Sequence, residues 1–189
     1  MKRLSFVFWL IMFLALVQVG LGMGIIKSMA AAADGFHSLF DVGGIAIALF
    51  VCWFCRTKEV KDKKKIERKG GIAIGVVIIF TALFLAGMGT YRILSESRVE
   101  DPLFMLLLGS LGVAVNIVAV KALHNHRHDG HHVYGVYMHR LGDFASSMMV
   151  VAGAVVIMFT NVHFVDSIAT FAISLFLLFL ARRVISKKD

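Results

Sequence analysis

The sequence predicts an all-α membrane protein with six transmembrane helices, and three observations support this fold class. Of the 189 residues, 59% are hydrophobic and the mean hydropathy is +0.82, whereas a soluble domain is usually about 45–50% apolar. The apolar residues form six runs of roughly 20 residues, which is the length that crosses a bilayer as a helix. No period-two alternation persists along these runs, so helices are favoured over strands.

The six predicted helices follow one another without a linker of different composition. They cover residues about 5–26, 31–55, 72–94, 103–122, 131–160 and 165–185. The fifth helix in this assignment extends beyond its apolar run, which begins near Val136. We therefore expect a single transmembrane domain over residues 1–189, with no cytoplasmic domain after the sixth helix.

The basic residues predict the orientation of the helices. A formal net charge of +8 could indicate a nucleic-acid ligand, but the basic residues lie between apolar runs, where a membrane surface accounts for them better. In a six-helix arrangement most of them fall on one side of the membrane: Lys2, Arg3, the segment 56–69, Lys121, Arg127, Arg182, Arg183, Lys187 and Lys188. The positive-inside rule then places both termini in the cytoplasm. We expect a plasma membrane, such as the bacterial inner membrane, segment 56–69 as a solvated loop, and no nucleic-acid partner.

Ionisable residues inside the predicted helices are concentrated in the second and fifth. Such residues are costly in a bilayer and are candidates for function. Both helices carry a His-x-x-x-Asp pattern, His37 with Asp41 and His139 with Asp143, and residues at i and i+4 share one helical face. If the two faces meet, two imidazoles and two carboxylates converge. That set suits tetrahedral Zn²⁺, and it also accepts Fe²⁺, Mn²⁺, Co²⁺ or Cd²⁺.

A single His-x-x-x-Asp pair could instead cap a helix or hydrogen-bond to a neighbouring helix, but two copies favour a metal site. Counted from the ends of the apolar runs, the two pairs would be offset by roughly 15 Å along the membrane normal. They can meet if the fifth helix begins early, so we expect it to extend to His131. Asp34 either guides cations toward the site or caps the second helix. Arg140 is expected to snorkel at the surface on another face.

The connection between the fourth and fifth helices is rich in histidine. It contains five of the eight histidines: His124, His126, His128, His131 and His132. Histidine-rich tracts are typical of metal binding, and a flexible cluster on the cytoplasmic side would collect metal near the entrance of the site. The alternative is a polar loop without a role in binding.

Cys52 and Cys55 form a C-x-x-C pattern in the second apolar run, and the sequence has no other cysteine. Without a second pair to complete a thiolate site, we interpret them as buried, inert thiols. No nucleophile motif, phosphate-binding loop or dinucleotide fingerprint accompanies them. The sequence therefore gives no support for an enzyme.

The two His-x-x-x-Asp segments resemble signatures of the cation diffusion facilitators, a family of zinc transporters. Residues 34–41, Asp-Gly-Phe-His-Ser-Leu-Phe-Asp, resemble the second-helix signature, and residues 139–143, His-Arg-Leu-Gly-Asp, the fifth-helix one. Asn116 and Asp166 match weaker positions in the fourth and sixth helices. The resemblance implies proton-coupled export of a divalent cation, usually Zn²⁺, from the cytoplasm. It also implies that the two pairs form the transport site, with helices 1, 2, 4 and 5 around it.

Family members commonly carry a cytoplasmic domain after the sixth helix, through which they bind metal and dimerise. Since we expect none here, a homodimer would have to form through membrane helices or short loops. Gly20 and Gly24 form a G-x-x-x-G pattern that allows close helix approach, either between subunits or within one.

Three functional classes stay open at this point: a secondary transporter, a membrane metal-binding or sensory protein that does not transport, and a membrane enzyme with a metal-bound water. A catalytic metal site usually has three protein ligands and an open position. Four predicted ligands therefore favour the transporter.

Overall fold

The computed structural model describes residues 2–20, 29–57, 61–95, 99 and 101–187, without the side chains of residues 18–20 and 29–37. These residues form six helices: α1 (Lys2–Gly20), α2 (Met29–Thr57), α3 (Lys63–Leu94), α4 (Pro102–His124), α5 (His131–Thr160) and α6 (Phe164–Ser186). The described ranges contain no strand, and the predicted all-α class is confirmed. Gly24 of the G-x-x-x-G pattern lies outside the described residues.

The surface of the helix bundle is apolar, as expected for a protein surrounded by lipid. Five helices, α2 to α6, contain described segments that are long and apolar enough to cross a membrane. Large apolar side chains point outward on α1 as well, where Trp9 and Phe13 are both 68% exposed. Polar groups such as Asp41 and His139 lie inside instead. Because this distribution is the reverse of that in a soluble protein, the chain is an integral, multi-pass membrane protein.

Most of the segment that we predicted as a solvated loop is helical, so that prediction was wrong for residues 63–69. Helix α3 begins at Lys63, well before the predicted start at residue 72. The residues from Lys63 to Lys69 include no proline or glycine, and lysine, glutamate and arginine are good helix formers. Lys63 also pairs with Glu67 one turn later, at 3.7 Å. The result is a charged helical extension that brings Glu67 alongside the start of α5.

The six helices form a ring of four and an attached pair. Helix α1 packs on α2, α2 on α5, α5 on α4, and α4 on α1. Helices α3 and α6 pack on each other and on α5, and α3 also contacts α2. Gly112 allows α4 to approach α5 closely, since a Cβ there would lie 2.8 Å from Ser147 Oγ. The ring consists of the same four helices that the family resemblance places around the transport site.

Polar contacts hold the helices together at both ends of the bundle. At the end that carries Lys2 and the α4–α5 turn, His131 Nε2 donates to the carbonyl oxygen of Val184 in α6 at 2.7 Å. At the opposite end, Arg92 of α3 forms an ion pair with Asp166 of α6. The first end collects most of the basic residues and is the one that the sequence predicts to be cytoplasmic; we call it the inner end.

Candidate metal centre

Three of the four predicted metal ligands converge between α2 and α5. Asp41, His139 and Asp143 each offer a ligand atom within 4.8 Å of the other two. His139 Nε2 lies 3.0 Å from Asp41 Oδ1 and 3.8 Å from Asp143 Oδ1. All three residues are at least nine-tenths buried, with exposed fractions of 3%, 1% and 5%. One nitrogen and two carboxylate oxygens therefore face one point inside the bundle.

The backbone explains why these side chains meet. Helix α5 begins at His131, which is the early start that a shared site requires. His139 and Asp143 lie one turn apart on one face of α5. On the facing helix, Gly44 leaves space for the imidazole, since a Cβ there would lie 3.5 Å from His139 Nδ1. At this distance a Cβ would make an ordinary van der Waals contact with the ring, so α2 passes directly beside the imidazole at residue 44.

The side chains of His37 and Asp34 lie outside the described residues, so the fourth ligand and the access residue stay predictions. The backbone of α2 is continuous from Met29 and places His37 one turn before Asp41. Because the helix begins at Met29, Asp34 is already within it. Our favoured interpretation of Asp34, as the cap of the second helix, was therefore wrong.

Arg140 is part of the centre, and our interpretation of it as a snorkelling surface residue was wrong. Its exposed fraction is 1%, and its Nη2 atom lies 2.8 Å from Asp143 Oδ2 and 3.1 Å from Asp41 Oδ2. Although Arg140 is adjacent to His139, it is three residues before Asp143, and i,i+3 pairs meet on a helix. The i,i+3 spacing between Arg140 and Asp143 is the sequence signal that could have identified Arg140 as part of the centre.

Asn116 of α4 lies at the interface between α4 and α5. It is buried, and its Nδ2 donates to Ser147 Oγ at 3.3 Å. Ser147 follows Asp143 by one turn of α5. The amide oxygen of Asn116 finds no hydrogen-bond partner among the described residues, so it is an available acceptor at this interface.

The five histidines between α4 and α5 do not form one flexible cluster, and that prediction was wrong. His131 and His132 are buried in the first turn of α5, with exposed fractions of 3% and 2%. His126 lies 2.8 Å from the Asp129 carboxylate in the turn, and His124 accepts from Arg127 at 2.7 Å. The cluster therefore divides into buried α5 residues and solvent-accessible residues of the turn.

The two cysteines are half-buried rather than buried. Cys52 Sγ is 3.0 Å from His132 Nε2, so this thiol has a polar neighbour on α5. The interpretation of both cysteines as buried thiols in apolar surroundings was therefore wrong.

Comparisons with known proteins identify the family of this chain. The cation efflux transmembrane domain family matches residues 4–188. The metal cation efflux system protein CzcD of Cupriavidus metallidurans is 30% identical over 159 residues, which cover 80% of this chain and 49% of CzcD. The proton-coupled zinc antiporter SLC30A2 of Homo sapiens is 28% identical over 167 residues, covering 80% of this chain and 45% of that protein.

A second human protein, the proton-coupled zinc antiporter SLC30A8, is 26% identical over 182 residues, which cover 89% of this chain and 49% of that protein. The chain thus spans about half the length of the curated relatives that it matches. The domain match extends over nearly the whole chain and includes the helices that form the centre. The chain therefore belongs to the cation diffusion facilitator family.

Proposed function

We propose that this protein exports a divalent metal cation from the cytoplasm in exchange for protons, with Zn²⁺ as the preferred substrate. The observation that carries the proposal is the buried convergence of Asp41, His139 and Asp143 between two membrane helices. The names of the relatives, a metal cation efflux protein and proton-coupled zinc antiporters, support the same activity. We place the protein in a plasma membrane with both termini in the cytoplasm, and any homodimer would form through membrane helices.

The spacing of the three described ligands supports a shared ion. Zinc is held by nitrogen and oxygen ligands at about 2.0–2.2 Å, so two ligands of a tetrahedral site lie roughly 3.3 Å apart. The distances from His139 Nε2 to Asp41 and Asp143, 3.0 and 3.8 Å, bracket that value. The fourth ligand in this proposal is His37. With four protein ligands and no open position, the centre suits binding and release rather than catalysis.

Arg140 supplies a compensating charge to the carboxylates of the centre. Two carboxylates facing each other in a buried site repel, and an unpaired buried charge is strongly destabilising. The guanidinium contacts one oxygen of each carboxylate, at 2.8 and 3.1 Å, while the other oxygens face His139 Nε2. We infer that Arg140 offsets the repulsion between the two carboxylates between transport cycles and that an entering cation competes with it for them.

Proton coupling follows from competition for the same lone pairs. A metal ion needs a neutral imidazole and ionised carboxylates, and free histidine titrates with a pKa of about 6.5. In the inward-open state the deprotonated centre takes the cation, and in the outward-open state protons replace it. The two packings of the helix bundle alternate around the site, as in other secondary transporters. Acidification should therefore weaken metal binding.

The test is Zn²⁺ flux in proteoliposomes containing the full chain, measured with and without an imposed pH gradient. We expect gradient-driven Zn²⁺ movement that Asp41→Asn abolishes. The matched control is Asp62→Asn, because this exposed aspartate lies in the turn before α3 and should leave flux unchanged. Tight Zn²⁺ binding without flux would contradict transport and favour a sensory or storage role. Flux that is indifferent to the pH gradient would contradict the proton coupling.

A further inference from the structure

A second group of metal-binding side chains surrounds a cavity at the inner end of the bundle, apart from the buried centre. The cavity has a volume of about 450 Å³. It lies where the starts of α1, α3 and α5 meet the end of α2 and the α4–α5 turn. Its lining includes two thiols, two imidazoles and two carboxylates, contributed by Cys52, Cys55, Glu67, His126, Asp129 and His132. The centre contains none of these residues.

Cys52 and His132 form a preformed pair of donors in this cavity. The Cys52 sulfur on α2 lies 3.0 Å from Nε2 of His132 on α5. The imidazole is held rigidly, since His132 is 2% exposed and packs against Gly70 of α3. A thiolate and an imidazole on facing helices are ligands that Zn²⁺ and related soft divalent cations prefer.

The other nitrogen of His132 lies on the side of the ring toward Gly130 and Glu67. Nδ1 is buried and has no hydrogen-bond partner among the described residues. A Cβ at Gly130 would lie 3.0 Å from this nitrogen and 3.2 Å from the carboxyl carbon of Glu67. Since residue 130 is a glycine, with a φ of +150°, it places no side chain between the two groups. Glu67 can therefore orient His132 as carboxylates commonly orient metal-bound histidines.

Further donors are within reach of the pair. Cys55 follows Cys52 by three residues of α2, so both thiols lie on one helical face, and both line the cavity. Within the described part of the chain, three donors close enough to share one ion are found at the buried centre and not at this cavity. At the inner end, side-chain rotation of Cys55 must therefore add a third ligand to a site that begins with two.

The charge around the cavity restricts which metal ions can bind. Lys2, Arg3, Arg56 and Lys63 lie on its lining. The same cations repel a weakly held metal ion. A cation that binds here must therefore form strong bonds to sulfur and imidazole ligands. This requirement excludes Mg²⁺ and Ca²⁺, which prefer oxygen ligands.

We propose that Cys52 and His132, assisted by Cys55 and Glu67, form a second, transient metal site for soft divalent cations at the inner mouth of the bundle. The site is built on the same two helices as the centre. Cys52 is eleven residues after Asp41 on α2, and His132 is seven residues before His139 on α5, so the two sites are separated by roughly 10–16 Å. The role of the second site as a staging position for export rests on the proposed function, whereas metal binding at the second site does not.

The experiment uses Co²⁺ as an optical probe of thiolate ligation in the purified full chain, kept reduced. The sequence has two cysteines, so a thiolate-to-cobalt charge-transfer band can arise at this cavity alone. We expect the wild type to develop the band on Co²⁺ addition and Cys52→Ser to lose it. Asp41→Asn, which damages the buried centre, should retain the band. Glu67→Gln should weaken the cobalt binding that produces the band by about tenfold, because losing the carboxylate that orients a metal-bound histidine commonly has an effect of this size.

Absence of the band in the wild type, or an undiminished band in Cys52→Ser, would overturn the proposal. Absence of the band together with binding of inorganic phosphate would show that the basic residues make the cavity an anion site instead. A second measurement needs no variant: bound Zn²⁺ should slow alkylation of Cys52 by N-ethylmaleimide, followed by mass spectrometry. An unchanged alkylation rate would also overturn the proposal.

The staging role is tested separately by Zn²⁺ flux. Cys52→Ser should raise the Zn²⁺ concentration required for half-maximal flux and leave the maximal flux unchanged. An unchanged half-maximal concentration would overturn the staging role while the cobalt result stands. Failure of flux in the wild type would instead contradict the proposed function, and the spectroscopic result would be unaffected.

Discussion

The buried centre and the inner cavity are built on the same two helices, but they differ in donors, burial and charge. The centre offers Asp41, His139 and Asp143, nearly withdrawn from solvent and partly neutralised by Arg140. The cavity offers Cys52 and His132 in a wider space with a basic lining. The difference indicates that a buried set of nitrogen and oxygen donors with a partly compensated charge suits selection and release. A looser set with sulfur suits capture.

The largest effect is expected from removing a ligand of the centre. Asp143→Ala, or His37→Ala for the predicted fourth ligand, should reduce Zn²⁺ flux by more than about 100-fold. Mutating a residue that only hydrogen-bonds to a metal ligand already reduces metal affinity or activity by about 10–100-fold. Proteoliposome flux measures the effect, and circular dichroism checks that the helices remain. Wild-type flux in a folded variant would remove that residue from the transport site.

Arg140 tests the charge balance of the centre. Arg140→Gln leaves two buried carboxylates without a fixed cation, so the metal-free protein should lose about 3–5 kcal/mol of stability. Added Zn²⁺ should restore more stability to this variant than to the wild type, because the ion replaces the missing charge. Thermal unfolding in detergent, with and without Zn²⁺, measures both effects.

The control for this prediction is Arg140→Lys, which retains the charge but not the planar guanidinium that reaches both carboxylates. It should be less destabilised than Arg140→Gln. Equal stability of the wild type and Arg140→Gln in the absence of metal would show that the ion pairs with Asp41 and Asp143 do not balance the centre.

Selectivity should change when the predicted fourth ligand changes. His37→Asp should preserve transport but raise Cd²⁺ flux relative to Zn²⁺, because a carboxylate binds through one or two oxygens and tolerates a larger ion. The added negative charge should also shift the pH dependence of transport, since one carboxylate then holds a proton more tightly. Paired Cd²⁺ and Zn²⁺ uptake into inside-out vesicles provides the ratio. An unchanged ratio would mean that His37 does not determine selectivity.

The smallest effect is expected from the histidines of the turn. Replacing His124, His126 and His128 together by alanine should raise the Zn²⁺ concentration for half-maximal flux and leave the maximal flux intact, since these side chains lie outside the centre. The flux curve measures both quantities. Complete loss of flux at saturating Zn²⁺ would show that the turn does more than assist capture. His131 and His132 are left unchanged because they are buried in α5.

The sequence was sufficient to predict the six helices and the candidate ligands that α2 and α5 carry, because both depend on local patterns. Apolar run length predicts membrane helices, and the i,i+4 spacing predicts that His139 and Asp143 share a face. The shared site also required an early start of α5, and the helix begins at His131. These inferences needed no knowledge of which helices touch.

The errors concern features that depend on packing between helices. Arg140 was assigned to the surface because its burial requires Asp41 of another helix as a partner. Cys52 was assigned to apolar surroundings because its polar neighbour His132 lies 80 residues further along the chain. Residues 63–69 were assigned to a loop because their charge was taken as a sign of solvation, although charged residues are good helix formers.

The central claim is that carboxylates from α2 and α5 hold one metal ion together, and X-ray absorption spectroscopy of bound zinc tests it most directly. The sample is the chain with Cys52→Ser and Cys55→Ser, loaded with one Zn²⁺, so that sulfur ligands of the cavity do not contribute. The account predicts about four nitrogen and oxygen ligands at about 2.0–2.2 Å, including imidazole. Adding Asp41→Asn and Asp143→Asn should abolish that zinc binding. An unchanged ligand shell in that variant would contradict the account.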